Sequence, residues 1–467
     1  MFKKIEAWIL YLVLLLGILF WFSSIVLVRQ GIEGITKAGK LNIEPLSKPL
    51  VYISRVPEQV LMELLSTGTQ VNGFWEEQRI FYSQDGFVVN DENRYSTKEM
   101  YLLLSKFDGN LQEGIVELVD LRNFEVLHTW NPDLDSMNKL IKKNYEYKYL
   151  ERDSNDIRAP LYHPLLTDDG GIVFGWNAPL RKIDHCSNLV FQSFEDKVHH
   201  SIEADIQGNI WASSYIFPQL LDEKKVGRKI REEGGFRDEG IVKLSPDGEI
   251  LYQKSISEIF IENDLEYLLY SVGGKKFNTD PIHVNDIQPV NSDSKFWKKG
   301  DLFISLRQQS MVFLYRPSTN KIIWKGVGHT YHQHDVDILD NHRISIFNNN
   351  SKNFVSGNVV DGHNEVLIYD FETDEYISYL GKSMKDNDIR TITEGRNQIL
   401  PNGDLFIEES NYGRSLYFNS DGSLKWSHVN RSSDGRVWVV AWSRIIYNEK
   451  DLENVRFLLK RVNECND

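Results

Sequence analysis

Short apolar runs of four to seven residues, each ended by a turn pair, fill the chain from Trp75 almost to its C-terminus. A pair of Asp, Asn or Gln followed by Gly lies between many of these runs, and such pairs are strong hairpin signals. They occur at 85–86, 169–170, 207–208, 247–248, 402–403, 421–422 and 434–435. This spacing predicts an all-β fold.

Two hairpin patterns recur in this part of the chain. One is found in residues 200–211, 334–347 and 396–407, and the other joins two apolar strands through a turn built on Asp, Asn, Ser or Thr. Two hairpins per repeat form a four-stranded sheet, and copies of about 45 to 60 residues are typical of β-propeller blades. The sequence therefore predicts a β-propeller of about six blades, the last closed by strands from both ends of the body.

A helical period is found in few places. Outside the N-terminal apolar segment it is limited to residues 56–67, 133–143 and 219–232. These segments are too short and too scattered for an α-helical core, so we interpret them as short helices in the connections between blades.

The 22 residues 7–28 carry no charge, and about 20 apolar residues span a ~30 Å hydrocarbon core. We expect a single-pass membrane anchor here. Lys3 and Lys4 precede it, which favours a cytoplasmic segment 1–6 and a periplasmic or other extracytoplasmic location for the rest. A cleaved signal peptide is the alternative, although no small-residue cleavage site ends the run. Residues 29–70 are interpreted as a stalk and lead-in, and residues 71–467 as the propeller.

Charge and cysteine content exclude some classes of protein. The net charge is −14 and no run of five or six basic residues exists, which argues against a nucleic-acid partner. The two cysteines, Cys186 and Cys465, exclude a CxxC metal or redox site and are too few to frame a fold of this size. Whether they pair stays open at this point.

Histidines recur at one position of the repeated strand. His334 lies eight residues before His342, and His200 lies eight residues before Gly208. His342 and Gly208 occupy the same turn position of their hairpins. His283 begins a similar strand, HVNDI, and His163 is a near match. The first strand of each propeller blade lines the central channel. A single histidine in a β protein is usually structural, but recurrence in register predicts a cluster of histidines near the axis.

Arg307 lies within an otherwise apolar strand, ISLRQQSMVFLY. A buried charge is costly unless it is paired. The guanidinium fork suits an oxyanion such as sulfate or phosphate. A salt bridge to a distant carboxylate is the alternative.

The segments HHSIEADIQGNIW, HVNDI, ISLRQQSMVFLYRPSTNKIIW and QHDVDIL, in this order, resemble the PAPS-independent arylsulfotransferases over roughly residues 160 to 430. The resemblance implies a six-bladed propeller in the periplasm or at the cell surface. It also implies an aryl sulfate donor, a phenolic or alcohol acceptor, and no cofactor or metal.

Site residues follow from the same resemblance. It implies that His334 is the nucleophile that forms a sulfohistidine and that Arg307 binds the sulfate. His283 and Asn285 correspond to the family's His-x-Asn pair, and His200 to the remaining catalytic histidine, with its neighbour His199 as the alternative. Asp335 is a candidate for orienting His334. The uncleaved anchor and Asp286, where a smaller residue is expected, depart from the family pattern.

Two other functions stay open at the level of sequence. One is a non-catalytic propeller that binds an anionic ligand or an envelope partner. The other is a metal-dependent hydrolase with histidines around a divalent ion, a reading that the positive charge of Arg307 opposes. The natural donor and acceptor do not follow from the sequence, because the loops of the pocket walls select them.

Overall fold

The chain divides into two compact units, Met1–Gly73 and Phe74–Asp467. The computed structural model describes residues 8, 11–17, 20, 75–76, 81, 83–90, 98–142, 147, 150–217, 219, 221, 236–270, 278–354 and 357–466. The predicted segments 1–6 and 29–70 lie outside these residues, as does most of the predicted anchor 7–28. The described residues of that anchor are helical. Within the described ranges, no helix has both the length and the apolar character needed to cross a bilayer.

Strands are the main secondary structure of the described part of the second unit. In chain order they are β1 Trp75–Glu76, β2 Gly86–Val89, β3 Tyr101–Asp108, β4 Glu113–Asp120, β5 Glu125–Trp130, β6 Leu165–Leu166, β7 Ile172–Phe174, β8 Ala178–Ile183, β9 Leu189–Ala204, β10 Ile210–Tyr215, β11 Glu239–Leu244, β12 Ile250–Ser255, β13 Val284–Pro289, β14 Leu302–Leu306, β15 Met311–Arg316, β16 Lys321–Val327, β17 His334–Ile338, β18 Arg343–Asn348, β19 Ser351–Phe354, β20 Gly357–Val360, β21 Glu365–Asp370, β22 Glu375–Tyr379, β23 Arg396–Ile399, β24 Leu405–Glu409, β25 Arg414–Phe418, β26 Leu424–Val429, β27 Val437–Trp438 and β28 Arg444–Ile446.

Five antiparallel sheets of the described residues carry four or more strands each. Three have four strands, in the orders β13-β14-β15-β16, β17-β18-β21-β22 and β28-β3-β4-β5, and one has five, β2-β26-β25-β24-β23. The fifth has seven, β12-β11-β10-β9-β8-β7-β6, because β9 pairs with β8 along its first part and with β10 along its last part. The all-β propeller arrangement is confirmed. Four sheets have the size of single blades, so the described residues do not form the six separate blades that were predicted.

Helices are short and lie between or after the sheets. They are α1 Leu134–Lys139, α2 Leu150–Asp153, α3 Ile256–Glu262, α4 Gly381–Asp386 and α5 Glu449–Leu459, with 3₁₀ turns at Glu266–Leu269, Ser410–Tyr412 and Val462–Asn466. The predicted segment 133–143 contains α1, whereas 56–67 and most of 219–232 lie outside the described residues.

The turns follow the predicted glycines. Gly208, between β9 and β10, and Gly403, between β23 and β24, have φ values of 81° and 84°. This left-handed region is costly for residues that carry a Cβ. The glycines of all seven predicted turn pairs adopt positive φ. The hairpin prediction is therefore confirmed where the turn joins two paired strands, as at Gly208 and Gly403. It is wrong at the pair 85–86, because Gly86 begins β2 and β2 pairs with β26.

Burial changes from the axis outwards. β14 is buried at every position, whereas the outer strand β16 alternates between exposed and half-buried residues. Apolar side chains pack between neighbouring sheets, as in the cluster that contains Phe303, Val336 and Ile346. The inner strands β9, β13, β17 and β23 contact one another in that order. Residues at the start of these strands therefore meet near the axis.

The C-terminal segment is joined to the body in two ways. Asn448 caps α5 by accepting a hydrogen bond from the N–H of Asp451 at 3.0 Å, and Leu452, Val455 and Leu458 of this helix are buried. Beyond α5, Cys465 forms a disulfide with Cys186, which lies between β8 and β9. The cysteine pairing that sequence left open is therefore present.

Candidate active site

Three predicted histidines from different inner strands meet at one place. His200 lies in β9, His334 begins β17, and His283 directly precedes β13. The ring centroid of His200 is 5.1 Å from that of His283 and 6.1 Å from that of His334. The structure thus brings together the histidines that the repeats placed in one register.

Arg307, at the end of β14, lies beside this cluster. Its backbone N–H donates to the carbonyl oxygen of His283 at 3.0 Å. Its side chain is 8% exposed, and its Nε is buried with no hydrogen-bond partner among the described residues. None of the described carboxylates forms an ion pair with it. A buried, unpaired guanidinium fits an anionic ligand and does not fit the predicted alternative of a structural salt bridge.

Asn349 fixes the orientation of the His334 ring. The amide nitrogen of Asn349 donates to the carbonyl oxygens of Thr391 at 3.1 Å and Glu394 at 2.7 Å, so its Oδ1 faces His334. That oxygen lies 2.7 Å from Nδ1 of His334, while the backbone N–H of Glu394 donates to Nε2 at 3.2 Å. An amide oxygen accepts and an N–H donates. Nδ1 therefore carries the proton and Nε2 carries the lone pair.

His334 is fully buried and neutral. Burial lowers its pKa to about 3, the charges of Arg307 and His200 act in the same direction, and Glu394 opposes them. A neutral imidazole with an oriented lone pair is the nucleophilic form of histidine.

Glu394 is a site residue that sequence reasoning missed. Its Oε1 lies 3.4 Å from Nε2 of His200, and its Oε2 accepts a hydrogen bond from the hydroxyl of Tyr162. Burial alone would raise the pKa of Glu394, but His200, His334 and Tyr162 together lower it well below the ordinary value. The carboxylate is therefore charged and fixes the position of His200.

His199, the predicted alternative to His200, contacts the ring of His200. Their Nδ1 atoms are 2.7 Å apart, and Nε2 of His199 lies 3.9 Å from Oε2 of Glu239. Burial lowers the pKa of His199 well below its ordinary value. His200 is thus the member of the pair that lies beside His283 and His334.

His283 is paired with a carboxylate three residues earlier in the chain. Its Nδ1 lies 2.8 Å from Oδ2 of Asp280, and its side chain is 19% exposed. Burial lowers the pKa of His283, and Asp280 offsets part of this effect. Asp280 was not among the predicted residues.

Asn285 is fully buried next to the cluster. Its amide nitrogen donates to the carbonyl oxygen of Gln333 at 2.7 Å, and its Oδ1 has no partner among the described residues. One N–H of Asn285 thus holds the residue before the strand that begins with His334, and its second N–H forms no hydrogen bond among the described residues.

Asp335 does not orient His334, contrary to the expectation from sequence. A bulge between His334 and Val336 turns its side chain away, and its Oδ2 accepts hydrogen bonds from the backbone and side chain of Asn397 at 2.7 and 2.9 Å. His163 also faces away from the cluster: its Nδ1 accepts from the N–H of Ile202 and its Nε2 lies 2.8 Å from Arg396. These residues belong to a polar layer outside the histidine cluster.

Aromatic side chains surround the cluster on one side. Tyr162 stacks on the half-buried Trp176 with ring centroids 4.4 Å apart, and Trp442 lies 5.6 Å from Tyr162. Nε1 of Trp442 is buried with no partner among the described residues. Aromatic faces of this kind suit an aryl group.

Backbone strain is concentrated at the same place. His200, His283 and Glu394 have φ values of 55°, 54° and 60°. Positive φ is uncommon for residues other than glycine, and it recurs at functional sites where the surrounding structure enforces it.

Two groups of site residues have ligand atoms near enough to share a metal ion. They are His200, His334 and Glu394, and Glu239, Asp280 and His283, with the atoms of each group within 4.8 Å of one another. The positive charge of Arg307, which interacts with Glu394 of one group and Asp280 of the other, disfavours a divalent cation. The arrangement fits an oxyanion better than a metal.

The family model described as Arylsulfotransferase (ASST) matches residues 163–431, more than half of the chain. The chain belongs to the arylsulfotransferase family. It is an arylsulfotransferase-like enzyme, and an aryl sulfate donor with a phenolic acceptor fits this family. The match includes all five predicted site residues of the arylsulfotransferase: His200, His283, Asn285, Arg307 and His334.

Other comparisons are more distant. No curated protein matches the chain. A protein of unknown function from Bacteroides caccae is 12% identical, with 74% of this chain and 98% of that chain covered and a TM-score of 0.43. TolB from Acinetobacter baumannii is 9% identical, with coverages of 74% and 66% and a TM-score of 0.41. A streptogramin B lyase is 13% identical, with coverages of 78% and 98% and a TM-score of 0.35. Similarities at this level carry no functional meaning for the arylsulfotransferase.

Proposed function

We propose that this enzyme transfers a sulfuryl group from an aryl sulfate ester to a phenolic or alcohol acceptor through a sulfohistidine at His334. The observation that carries the proposal is the neutral, oriented imidazole of His334 beside the unpaired guanidinium of Arg307. The first group is a nucleophile, and the second is a binding group for the anion that it attacks.

In the first half-reaction, Nε2 of His334 gives up its 3.2 Å hydrogen bond from the backbone N–H of Glu394 and attacks sulfur, and the aryl oxygen leaves. Arg307 and the second N–H of Asn285 hold the sulfuryl oxygens while charge redistributes, and one such donor is worth about 3 kcal/mol. In the second half-reaction the acceptor oxygen attacks the sulfohistidine and restores His334. This sequence is the ping-pong pattern of nucleophilic catalysis.

His283 and His200 are the acid–base candidates. Each is paired with a carboxylate, Asp280 for His283 and Glu394 for His200. An imidazole beside the leaving oxygen protonates it and later deprotonates the acceptor. The aromatic group of Tyr162, Trp176 and Trp442 forms the wall against which we expect the aryl ring to pack.

We further propose a six-bladed propeller held at the membrane. The seven-stranded sheet then counts as two blades that share β9. Residues 7–28 anchor the chain, residues 1–6 are cytoplasmic, and the propeller is extracytoplasmic. The disulfide between Cys186 and Cys465 supports this location, because such bonds persist in oxidising compartments. Release of the full-length protein from membranes by alkaline carbonate would contradict the anchor.

The decisive experiment is capture of the adduct. Incubation with 4-nitrophenyl sulfate and no acceptor is expected to release one equivalent of 4-nitrophenolate and to leave a sulfo group on the peptide that contains His334, read by mass analysis at alkaline pH. His334→Ala is expected to lose both the burst and the adduct while its circular dichroism spectrum stays unchanged. An adduct on another residue, or no burst with several aryl sulfates, would contradict the proposal.

The competing function is a propeller that binds an anionic ligand without turnover. The unpaired side chain of Arg307 also favours this function, since it accounts for anion binding alone. Saturable binding of 4-nitrophenyl sulfate without release of 4-nitrophenolate would establish the binding function in place of the transferase.

A further inference from the structure

The two acid–base candidates differ in which ring nitrogens are free. Both nitrogens of His200 face protein groups. Nδ1 lies 2.7 Å from Nδ1 of His199, and Nε2, which is buried and forms no hydrogen bond among the described residues, lies 3.4 Å from Oε1 of Glu394. His283 uses Nδ1 alone, 2.8 Å from Oδ2 of Asp280. Its Nε2 meets no polar group of the described chain. His283 can therefore present Nε2 to a substrate oxygen while Nδ1 keeps its contact with Asp280, whereas Nε2 of His200 faces Glu394 and must turn away from that carboxylate to reach a substrate.

Exposure points in the same direction. The side chain of His283 is 19% exposed, whereas that of His200 is 6% exposed. A substrate oxygen that enters from solvent thus reaches Nε2 of His283 more readily than either nitrogen of His200.

The surroundings of Asp280 keep one negative charge beside His283. Burial, with the charge of Asp280, raises the pKa of Glu239 well above its ordinary value, so Glu239 is neutral. Burial opposes ionisation of Asp280 as well, but its hydrogen bond to His283 and the charges of His283 and Arg237 lower its pKa. The single charge of this carboxyl pair therefore lies on Asp280, at 2.8 Å from the imidazole.

We propose that Asp280 is a positioning residue for His283, that this pair moves the proton in both half-reactions, and that His200 donates no proton to the substrate. This inference rests on the proposed function, which leaves the acid–base role to either His283 or His200. It assigns that role to His283. His200, fixed by His199 and Glu394, instead forms part of the wall beside His334.

The proton and the electrons balance over the cycle. As the N–S bond to His334 forms and the S–O bond breaks, the electron pair of that bond goes to the aryl oxygen, which takes the proton from Nε2 of His283. The neutral His283 then takes the proton of the acceptor hydroxyl as the new S–O bond forms. The electron pair of the N–S bond returns to His334, and His283 is again protonated.

The groups that face His283 determine when this proton is present. They are Asp280, which favours the imidazolium, and His200 and Arg307, which oppose it. A bound sulfate ester adds a negative charge and therefore favours the imidazolium. Asp280→Asn removes the favourable carboxylate and keeps the shape of the side chain.

The test compares two donors in wild-type enzyme and in Asp280→Asn. The leaving group of 4-nitrophenyl sulfate is a weak base that departs without a proton, whereas that of phenyl sulfate needs one. General acid catalysis is typically worth 100-fold or more, so we expect Asp280→Asn to lower kcat/KM about 100-fold with phenyl sulfate and less than about threefold with 4-nitrophenyl sulfate. With phenyl sulfate, the fall of kcat/KM at rising pH is expected to move to lower pH.

The matched variant is Glu394→Gln, which makes the same chemical change at the carboxylate beside His200. It is expected to lower kcat/KM with both donors by a similar factor. The 4-nitrophenolate burst of Asp280→Asn reports whether its site is folded, independently of proton transfer.

The outcomes are distinguishable. An equal loss with both donors in Asp280→Asn, or a phenyl-selective loss in Glu394→Gln, would overturn this inference and leave the sulfohistidine proposal in place. A wild-type enzyme that forms no sulfo adduct would overturn both.

Discussion

The reactivity of His334 depends on an asparagine fifteen residues later in the chain. Asn349 presents its oxygen to Nδ1 because its nitrogen is already engaged by two carbonyl oxygens. The tautomer with the lone pair on Nε2 is thus favoured by backbone carbonyl groups of the segment before β23, which orient the amide, and by the carbonyl oxygen of His332, 3.1 Å from Nδ1. An amide performs here the orienting task that a carboxylate performs in serine hydrolases.

Replacement of that amide tests its role. In Asn349→Leu the nearer acceptor for the Nδ1 proton, at 2.7 Å, is lost, and the carbonyl oxygen of His332, 3.1 Å away, is left as the acceptor. The ring is then held less firmly in the orientation that presents Nε2 to sulfur. We expect the single-turnover rate of sulfation by 4-nitrophenyl sulfate to fall at least about 100-fold, as loss of an orienting partner does elsewhere. Asn358→Ala, at an exposed position of β20, is the control. A normal sulfation rate in Asn349→Leu would show that His334 needs no such partner.

Sequence alone predicts the residues of this site that repeat and misses those that do not. His200, His283 and His334 could be predicted because they recur at the start of equivalent strands. Glu394, Asn349 and Tyr162 belong to no repeated pattern. Asn349 reaches His334 because it follows β18, the partner of β17, whereas Glu394 and Tyr162 lie in connecting segments whose packing the sequence does not reveal. Asp335 was a candidate for orienting His334, although alternation along the strand already favoured the opposite face, and its side chain instead accepts hydrogen bonds from Asn397.

At the scale of elements, the fold follows the hairpin signals closely and departs from them in two places. The predicted turn glycines all adopt positive φ. The 16-residue β9 pairs with β8 along its first part and with β10 along its last part. It therefore joins into one sheet the strands that a count of hairpins assigns to two separate blades. α5 was not predicted, because an amphipathic segment of 11 residues gives a weak periodic signal beside many strands.

The disulfide holds the segment that follows α5 against the loop before β9. In Cys465→Ser we expect the free energy of unfolding to fall by about 2–4 kcal/mol, because the unfolded chain loses a long-range constraint. Sulfation of His334 is expected to persist, since the described site residues do not contact α5. Denaturant unfolding with and without reductant measures the effect. A reductant that destabilises Cys465→Ser as much as wild type would contradict it.

At the scale of the whole molecule, the propeller buries several histidines in neutral form. His428 in β26 is 5% exposed, and its ring lies 4.5 Å from that of Phe87. Burial lowers its pKa to about 3, and the charge of Lys106 acts in the same direction. The unfolded chain therefore takes up a proton near pH 6.5 that the folded protein takes up only near pH 3. This difference lowers the stability of the fold as pH falls through that window.

His428→Leu is expected to reduce this acid sensitivity. The decrease in the free energy of unfolding from pH 7 to pH 4 should be smaller in the variant by roughly 3 kcal/mol. Burial raises the pKa values of three carboxyl groups, Asp286, Asp337 and Glu239, so these groups favour the folded protein as pH falls. Their effect is present in both proteins and cancels in the comparison. Denaturant unfolding at the two pH values measures the difference. An identical pH dependence in both proteins would contradict the expectation.

The closing strands carry a consequence for biosynthesis. β3 pairs on its inner side with β28, and β26 pairs on its outer side with β2, so two sheets join the beginning of the body to its end. While the ribosome is still making the chain, β3 has no inner partner, and an unpaired strand edge readily pairs with other chains. The propeller can close only after synthesis is complete. A cell that makes this enzyme must therefore shield an open sheet edge, by a chaperone or by delayed folding, until the last strand has emerged.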